Sequence, residues 1–321
     1  ERGTLSTIFG SMIAFGLYFA FDWGFAVAEA SRAVRGENPS FFAKVFAYIF
    51  GLGGTGVNQD WALFFVPAVI LSVLWIIMFI FLKNTPADAG HNNFDTGEDS
   101  LSQTGDRLPI NRVFIKILTH PVLIIVCFIE LSSGVLRNGI MQWYPIFASE
   151  LGFKNSFWVT KNWGLVLLIA GLLGSFLTGW CSDKFFNSRR APMAAILYAV
   201  MFFSILIMVL KLNGNLWWAG ASAMVLSMAV TGIHGILSGT ATTDFGGSKN
   251  AGAATGIVDG MVYLGTGLQS IVIGYITPVG EVAKDPSNWI KWPIFLIPFT
   301  IIGFILSLKI WNALPSKTKT H

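Results

Sequence analysis

The chain has 321 residues, of which 54% are hydrophobic and only 12% charged, with a net charge of +4. A water-soluble domain carries about 25% charged residues, so the composition excludes a soluble globular protein and points to an all-α integral membrane protein. The small positive charge is accounted for by basic loops on one side of a membrane and needs no nucleic acid.

Apolar segments of about 20 residues, long enough to cross ~30 Å of hydrocarbon, are predicted at Thr4–Ala28, Trp61–Leu82, His120–Ala148, Trp158–Cys181, Pro192–Leu212, Leu216–Thr240, Ala251–Thr277 and Trp289–Trp311. Between the first two, residues 31–60 form an insertion whose apolar run, Phe41–Leu52, is too brief to span; it is expected to lie at the interface or to re-enter. Gly36, Pro39, Gly51, Gly53, Gly54 and Gly56 at its edges mark a loop excursion. Residues 84–118 are polar and read as a cytoplasmic linker between helical bundles. Two spans precede the linker in 1–83, six follow it in 119–313, and 314–321 form a basic tail. Placing the first end in the cytoplasm puts most Lys and Arg residues inside. Trp61, Trp143, Trp158, Trp180, Trp217, Trp289 and Trp311 fall at span ends, where indoles favour the interface. Cys127 and Cys181 read as packing residues without a disulfide framework.

Arg137 stands inside the third span. A guanidinium cannot shed its proton to escape burial, so at membrane depth it faces a wet cavity or an anionic partner. Its planar fork suits phosphate or carboxylate. Glu130, Ser133 and Gly134 share its helix face, with Glu130 two turns away, roughly 10 Å along the axis; Glu130 reads as a charge-balancing or proton-coupled group, or as half of a self-neutralising pair. The sixth span carries a polar ridge of Ser227, Thr231, His234 and Ser238, which lines a path or hydrogen-bonds between helices. In the seventh span Gly252, Gly256 and Gly260 are expected to form a close-packing face beside Asp259, a second candidate for charge balance or proton coupling. Asp22, in the first span, reads as a rim carboxylate or a third such candidate, and Lys161 as an interface anchor or a substrate contact. Gly179, Asp183, Lys184 and Arg189 close the fourth span, where a carboxylate among basic neighbours can latch a conformation. Metal spacings, a phosphate-cradling loop and a serine triad are all missing from the sequence, so neither a metal, a cofactor nor an enzyme is expected.

Two stretches carry a family resemblance. Gly179-x-x-x-Asp183-Lys184 with Arg189-Arg190 is similar to the cytoplasmic loop motif of the major facilitator superfamily. Leu136-Arg137-Asn138-Gly139-Ile140-Met141-Gln142-Trp143-Tyr144-Pro145 resembles the seventh-helix pattern of its organophosphate:phosphate antiporters. Glu1-Arg2-Gly3, Asp60-Trp61, Asn84-Thr85-Pro86, the stretch from Ala251 to Gly256 and Tyr263-Leu264-Gly265 match in order. The resemblance implies a major facilitator fold of which eight of twelve spans are present, starting at the fifth, in a segment of a longer protein. It implies a monomeric bacterial inner-membrane transporter exchanging an organic phosphate for inorganic phosphate by rocking of two bundles. Substrate phosphate would sit between two arginines, Arg137 and one upstream of Glu1, with His234, Ser238, Thr231 and Lys161 as further substrate contacts. Residues 10–14 lack the Asn and His of glycerol-phosphate transporters, and Glu130 and Asp259 add negative charge. These departures keep open proton-coupled uptake of another organic anion. The family also contains sugar-phosphate sensors.

Overall fold

The computed structural model describes residues 2–32, 39–83, 87–92, 109–187, 189–241 and 251–313, and all regular structure among them is helical. Of the predicted linker, 84–86 and 93–108 lie outside the described residues, as do 33–38 of the insertion and the tail 314–321. Among the described residues eight helices are long and apolar enough to cross a membrane: Gly10–Ser31, Ala62–Phe81, Pro121–Glu150, Trp163–Phe186, Arg190–Lys211, Leu216–Ser238, Gly252–Ile276 and Pro286–Lys309. Each overlaps one predicted span. The chain divides into two compact units, 16–96 and the rest.

In the unit 16–96, a π-helical turn, Phe19–Trp23, leads into helix α2 (Gly24–Ser31), the continuation of α1 (Arg2–Tyr18). The short apolar run of the insertion forms α3 (Phe41–Phe50), whose ten residues cover only about 15 Å. Ser40 caps α3 by accepting from the Ala43 amide, and the Glu29 carboxylate accepts from the Ser40 hydroxyl at 2.8 Å. Gly51 ends the helix at φ +63°, a left-handed conformation suited to glycine. Ala26, Val27 and Ala30 of α2, Ala43 and Phe46 of α3, and Ala62 and Val66 of α4 (Ala62–Phe81) bury one another. From Leu71 to Leu82, the C-cap of α4, every side chain is exposed, and all but Ser72 are apolar, a surface suited to lipid or to neighbouring apolar helices.

The other unit holds α5 (Ile110–Thr119), α6 (Pro121–Met141), α7 (Trp143–Glu150), the single turn α8 (Trp158–Lys161), α9 (Trp163–Phe186), α10 (Arg190–Lys211), α11 (Leu216–His234), α12 (Ala251–Ile276) and α13 (Lys291–Lys309). Helix α6 is central and packs against α11, α12 and α13. The backbones of α6 and α12 nearly touch. A Cβ added at Gly134 would lie 2.0 Å from the Val262 carbonyl oxygen, and one at Gly265 would lie 2.1 Å from that of Leu131. By contrast, a Cβ at Gly252, Gly256 or Gly260 meets nothing within 4 Å among the described residues. The expected close-packing face therefore moves along α12: the contact is made where a glycine on either helix faces main chain of the other, and a repeat on one helix does not fix that register.

The third predicted span is interrupted at Gln142. Pro145 has no N–H to offer the Met141 carbonyl four residues earlier. The Trp163 indole supplies that hydrogen bond at 2.9 Å, and the Trp292 indole donates to the Gly139 carbonyl at 2.6 Å. The fourth span is likewise broken at Asn162, so Trp158–Lys161 stands apart from α9, which runs on past the predicted end to Asn187 in a left-handed cap (φ 50°).

His120 caps α6. Its Nδ1 accepts from the Val122 and Leu123 amides, both at 3.3 Å, which requires the neutral ring. Burial lowers its pKa from the ordinary 6.5. The unfolded chain then binds the proton more readily, so the stabilisation is complete above 6.5 and is lost as pH falls through the lowered folded value. Hydrogen-exchange protection of the Val122 and Leu123 amides is expected to fall below about pH 6. His120→Asn, which caps without titrating, should remove that dependence.

Candidate functional site

Gly134 brings α12 against the face of α6 that carries Arg137. The Asn138 amide donates to Thr266 at 2.7 Å, and the Trp143 indole donates to Gln269 at 3.0 Å. These bonds fix the rotation of α6 against α12. Arg137 is half-buried, with its guanidinium carbon 6.0 Å from the centre of the Tyr263 ring, within reach of a cation–π attraction. Among the described residues it makes no ion pair or hydrogen bond through its side chain. A fork of five donors is thus positioned in mid-span with its polar capacity unused.

Glu130, two turns away, is fully buried. Its Oε2 lies 3.3 Å from Nδ1 of His234, while Oε1 has no hydrogen-bond partner among the described residues. His234 is the last residue of α11, where the helix loosens into a π-helical turn, Gly235–Ala241. From that turn Ser238 donates a hydrogen bond to Asp259 on α12. The wider turn re-aims side chains that a regular helix would stack. The rest of the polar ridge closes on its own helix: the Ser227 and Thr231 hydroxyls donate to the Ala223 and Ser227 carbonyls, both at 2.8 Å. Only the C-terminal half of the ridge reaches other helices, and the two carboxylates expected beside Arg137 are engaged there.

At the far end of α9, Gly179 is buried and Asp183 pairs with Arg190 at 3.5 Å. Arg190 is 6% exposed and also donates to the Ser182 hydroxyl at 3.2 Å, which in turn donates to the Arg189 carbonyl. Arg189 points away, to the Asn312 side chain and the Phe186 carbonyl, each at 3.2 Å. Lys184 lies over the Trp180 ring at 4.6 Å. The Major Facilitator Superfamily pattern matches residues 40–270.

The chain belongs to the major facilitator superfamily.

As a superfamily member with eight spans, it is a multi-pass membrane protein. It is 26% identical to a probable hexose phosphate transport protein of Chlamydia muridarum over 83% of this chain and 61% of that protein. Against the glycerol-3-phosphate transporter of Bacillus subtilis it is 25% identical, over 81% of this chain and 58% of the relative. The membrane sensor protein UhpC of Escherichia coli is 27% identical over 71% of this chain and half of its own length. The chain thus spans about three-fifths of the first two relatives.

Two further candidate residues are Lys161 and Asp22. Lys161 is exposed at the end of α8, and among the described residues no side-chain bond joins it to Arg137, Glu130, His234 or Asp259. Asp22 belongs to the unit 16–96, in the π-helical turn after α1; it is half-buried, and its Oδ2 has no hydrogen-bond partner among the described residues.

Sequence reasoning missed Arg190, favouring its neighbour. A usable signal existed: Arg190 opens α10 just before Pro192, and a cation at a helix N-terminus opposes the helix dipole unless a carboxylate compensates. Arg190→Ala is expected to lower thermal stability by about 1–3 kcal/mol, leaving Asp183 without its charged partner. Arg189→Ala should stay within about 0.5 kcal/mol, because its contacts lie at the surface. Thermal unfolding of the two purified variants in detergent separates them.

Proposed function

We propose that this chain is part of a monomeric secondary transporter of the bacterial inner membrane that exchanges an organic phosphate ester, glycerol-3-phosphate or a sugar phosphate, for inorganic phosphate by alternating access. The observation that carries this reading is Arg137: an always-charged fork in mid-span, half-buried, with no carboxylate paired to it among the described residues. Phosphate is the partner its geometry fits best. The names of the relatives, which include phosphate-ester transporters, support the same substrate class. In this arrangement residues 1–83 supply the last two spans of one bundle and 119–313 the six of the other. Arg137 holds the anion, Asp259 and Glu130 balance charge, and Ser238 offers a hydrogen bond when released from Asp259. Thr231 and Lys161 would contribute only after leaving the positions they occupy here. Asp183 and Arg190 latch the cytoplasmic end, with Gly179, Lys184 and Arg189 shaping the loop around them.

A second reading, sensing of a sugar phosphate without flux, is favoured by the similarity to a membrane sensor. Proteoliposomes of the full-length protein decide between them. Uptake of labelled glycerol-3-phosphate or glucose-6-phosphate that requires phosphate inside the vesicle is the expected result. Binding without uptake identifies a sensor. Uptake driven by a pH gradient into phosphate-free vesicles identifies a proton symporter.

A further inference from the structure

Building on the reading of Arg137 as the anion site, we propose that Glu130 and His234 form a proton site that fills when a doubly charged anion binds Arg137.

The pair is built as a proton site needs to be. A fully buried carboxylate is costly unless a cation or a proton meets it. Among the described residues, the titratable group within hydrogen-bond distance of Glu130 is His234, at 3.3 Å. On its own helix the nearest others are Cys127, a turn earlier, and Arg137, two turns later. From α10, Tyr198 spends its hydroxyl on the Ile129 carbonyl at 2.7 Å. From α12, Asp259 is held by Ser238, and Tyr263 lies beside Arg137. Lys291 and Lys309 sit at the two ends of α13, and Arg112 and Lys116 lie on α5; among the described residues none of these cations pairs with Glu130. Where the carboxylate is ionised, Nδ1–H donates to Oε2 and the other ring nitrogen, Nε2, is the atom that takes a proton. The His234 side chain is 14% exposed while Glu130 is 0% exposed, so the imidazole is the accessible member of the pair.

The linkage to the anion is electrostatic. Neutral His234 leaves the pair at one negative charge; protonated, it is neutral. An empty Arg137 repels a proton added to the pair, and a dianion on Arg137 reverses that field by two charges. Anion entry therefore draws one proton from water onto Nε2, and anion departure returns it. No covalent bond is made or broken.

The test uses the full-length protein in detergent, with sulfate as the probe because it stays doubly charged throughout the range where imidazole titrates. Calorimetric titration near neutral pH, in two buffers of different ionisation enthalpy, counts the protons taken up per anion. Wild type is expected to take up about half a proton per sulfate, and Glu130→Gln or His234→Gln less than about a tenth. Anion binding without proton uptake by wild type overturns the proposal, as does uptake that survives in the double variant. Should the variants fail to fold, the wild-type profile decides alone: sulfate affinity must weaken about tenfold from pH 5.5 to 8, and a flat profile refutes it. Arg137→Lys keeps the two readings distinct. If it binds sulfate like wild type, the anion assignment fails; if it loses binding while wild type shows no linked proton, only the proton site fails. Absence of any sulfate and phosphate binding by wild type overturns both.

Discussion

Arg137→Lys is expected to reduce phosphate-ester exchange by about a hundredfold or more, although the charge is retained. A phosphate gripped by a guanidinium receives two parallel, charge-assisted hydrogen bonds from a rigid plane. An ammonium offers one compact charge on a mobile stem and is more strongly hydrated. Losing one such bond in a partly desolvated site costs about 1.5–3 kcal/mol, and the Tyr263 ring beside the guanidinium at 6.0 Å loses a planar partner as well. Initial rates of labelled-substrate entry into phosphate-loaded proteoliposomes check this. Wild-type rates in the lysine variant would leave Arg137 a structural role only.

Gly134→Val is expected to prevent folding of the six-span unit. The first atom of any side chain there would lie 2.0 Å from the Val262 carbonyl oxygen, well inside van der Waals contact. Backbone atoms of a packed helix cannot swing aside as a side-chain tip can. The two helices must separate, and the Asn138–Thr266 and Trp143–Gln269 bonds part with them. Overpacking costs about 1–3 kcal/mol where neighbours can adjust; here the obstacle is main chain, so the loss exceeds that range. Size-exclusion profiles and thermal unfolding should show aggregated or absent protein. Ser132→Ala, on the same buried helix, removes only a hydroxyl bonded to its own helix at Phe128 and should shift stability by less than about 1 kcal/mol.

The spans were legible because lipid imposes a length and an apolar composition that few other constraints produce. Arg137 stood out for the same reason: one guanidinium in a run of hydrocarbon calls for a wet cavity or an anionic partner. The partners of the charged groups were not legible. Glu130 meets His234 across 104 positions, a pairing decided by how α6 and α11 rotate against each other, and helix faces read singly do not contain that rotation. Arg189 and Arg190 differ by 100° on a helix wheel, so the start of α10 settles which one meets Asp183. The glycine repeat at 252, 256 and 260 misled because small residues permit close approach without requiring it, whereas Gly134 and Gly265 each face main chain of the opposite helix. The break at Gln142 was announced by Pro145, but its repair by the Trp163 indole depends on a neighbouring helix.

Whether Arg137 holds the anion decides the transporter reading. An experimental structure of the full-length protein with bound inorganic phosphate measures this directly. Phosphate oxygens about 2.7–3.0 Å from the Arg137 nitrogens, with Glu130 still on His234, is the predicted outcome. A phosphate bound elsewhere, with the guanidinium against lipid or closed onto a carboxylate, would contradict it.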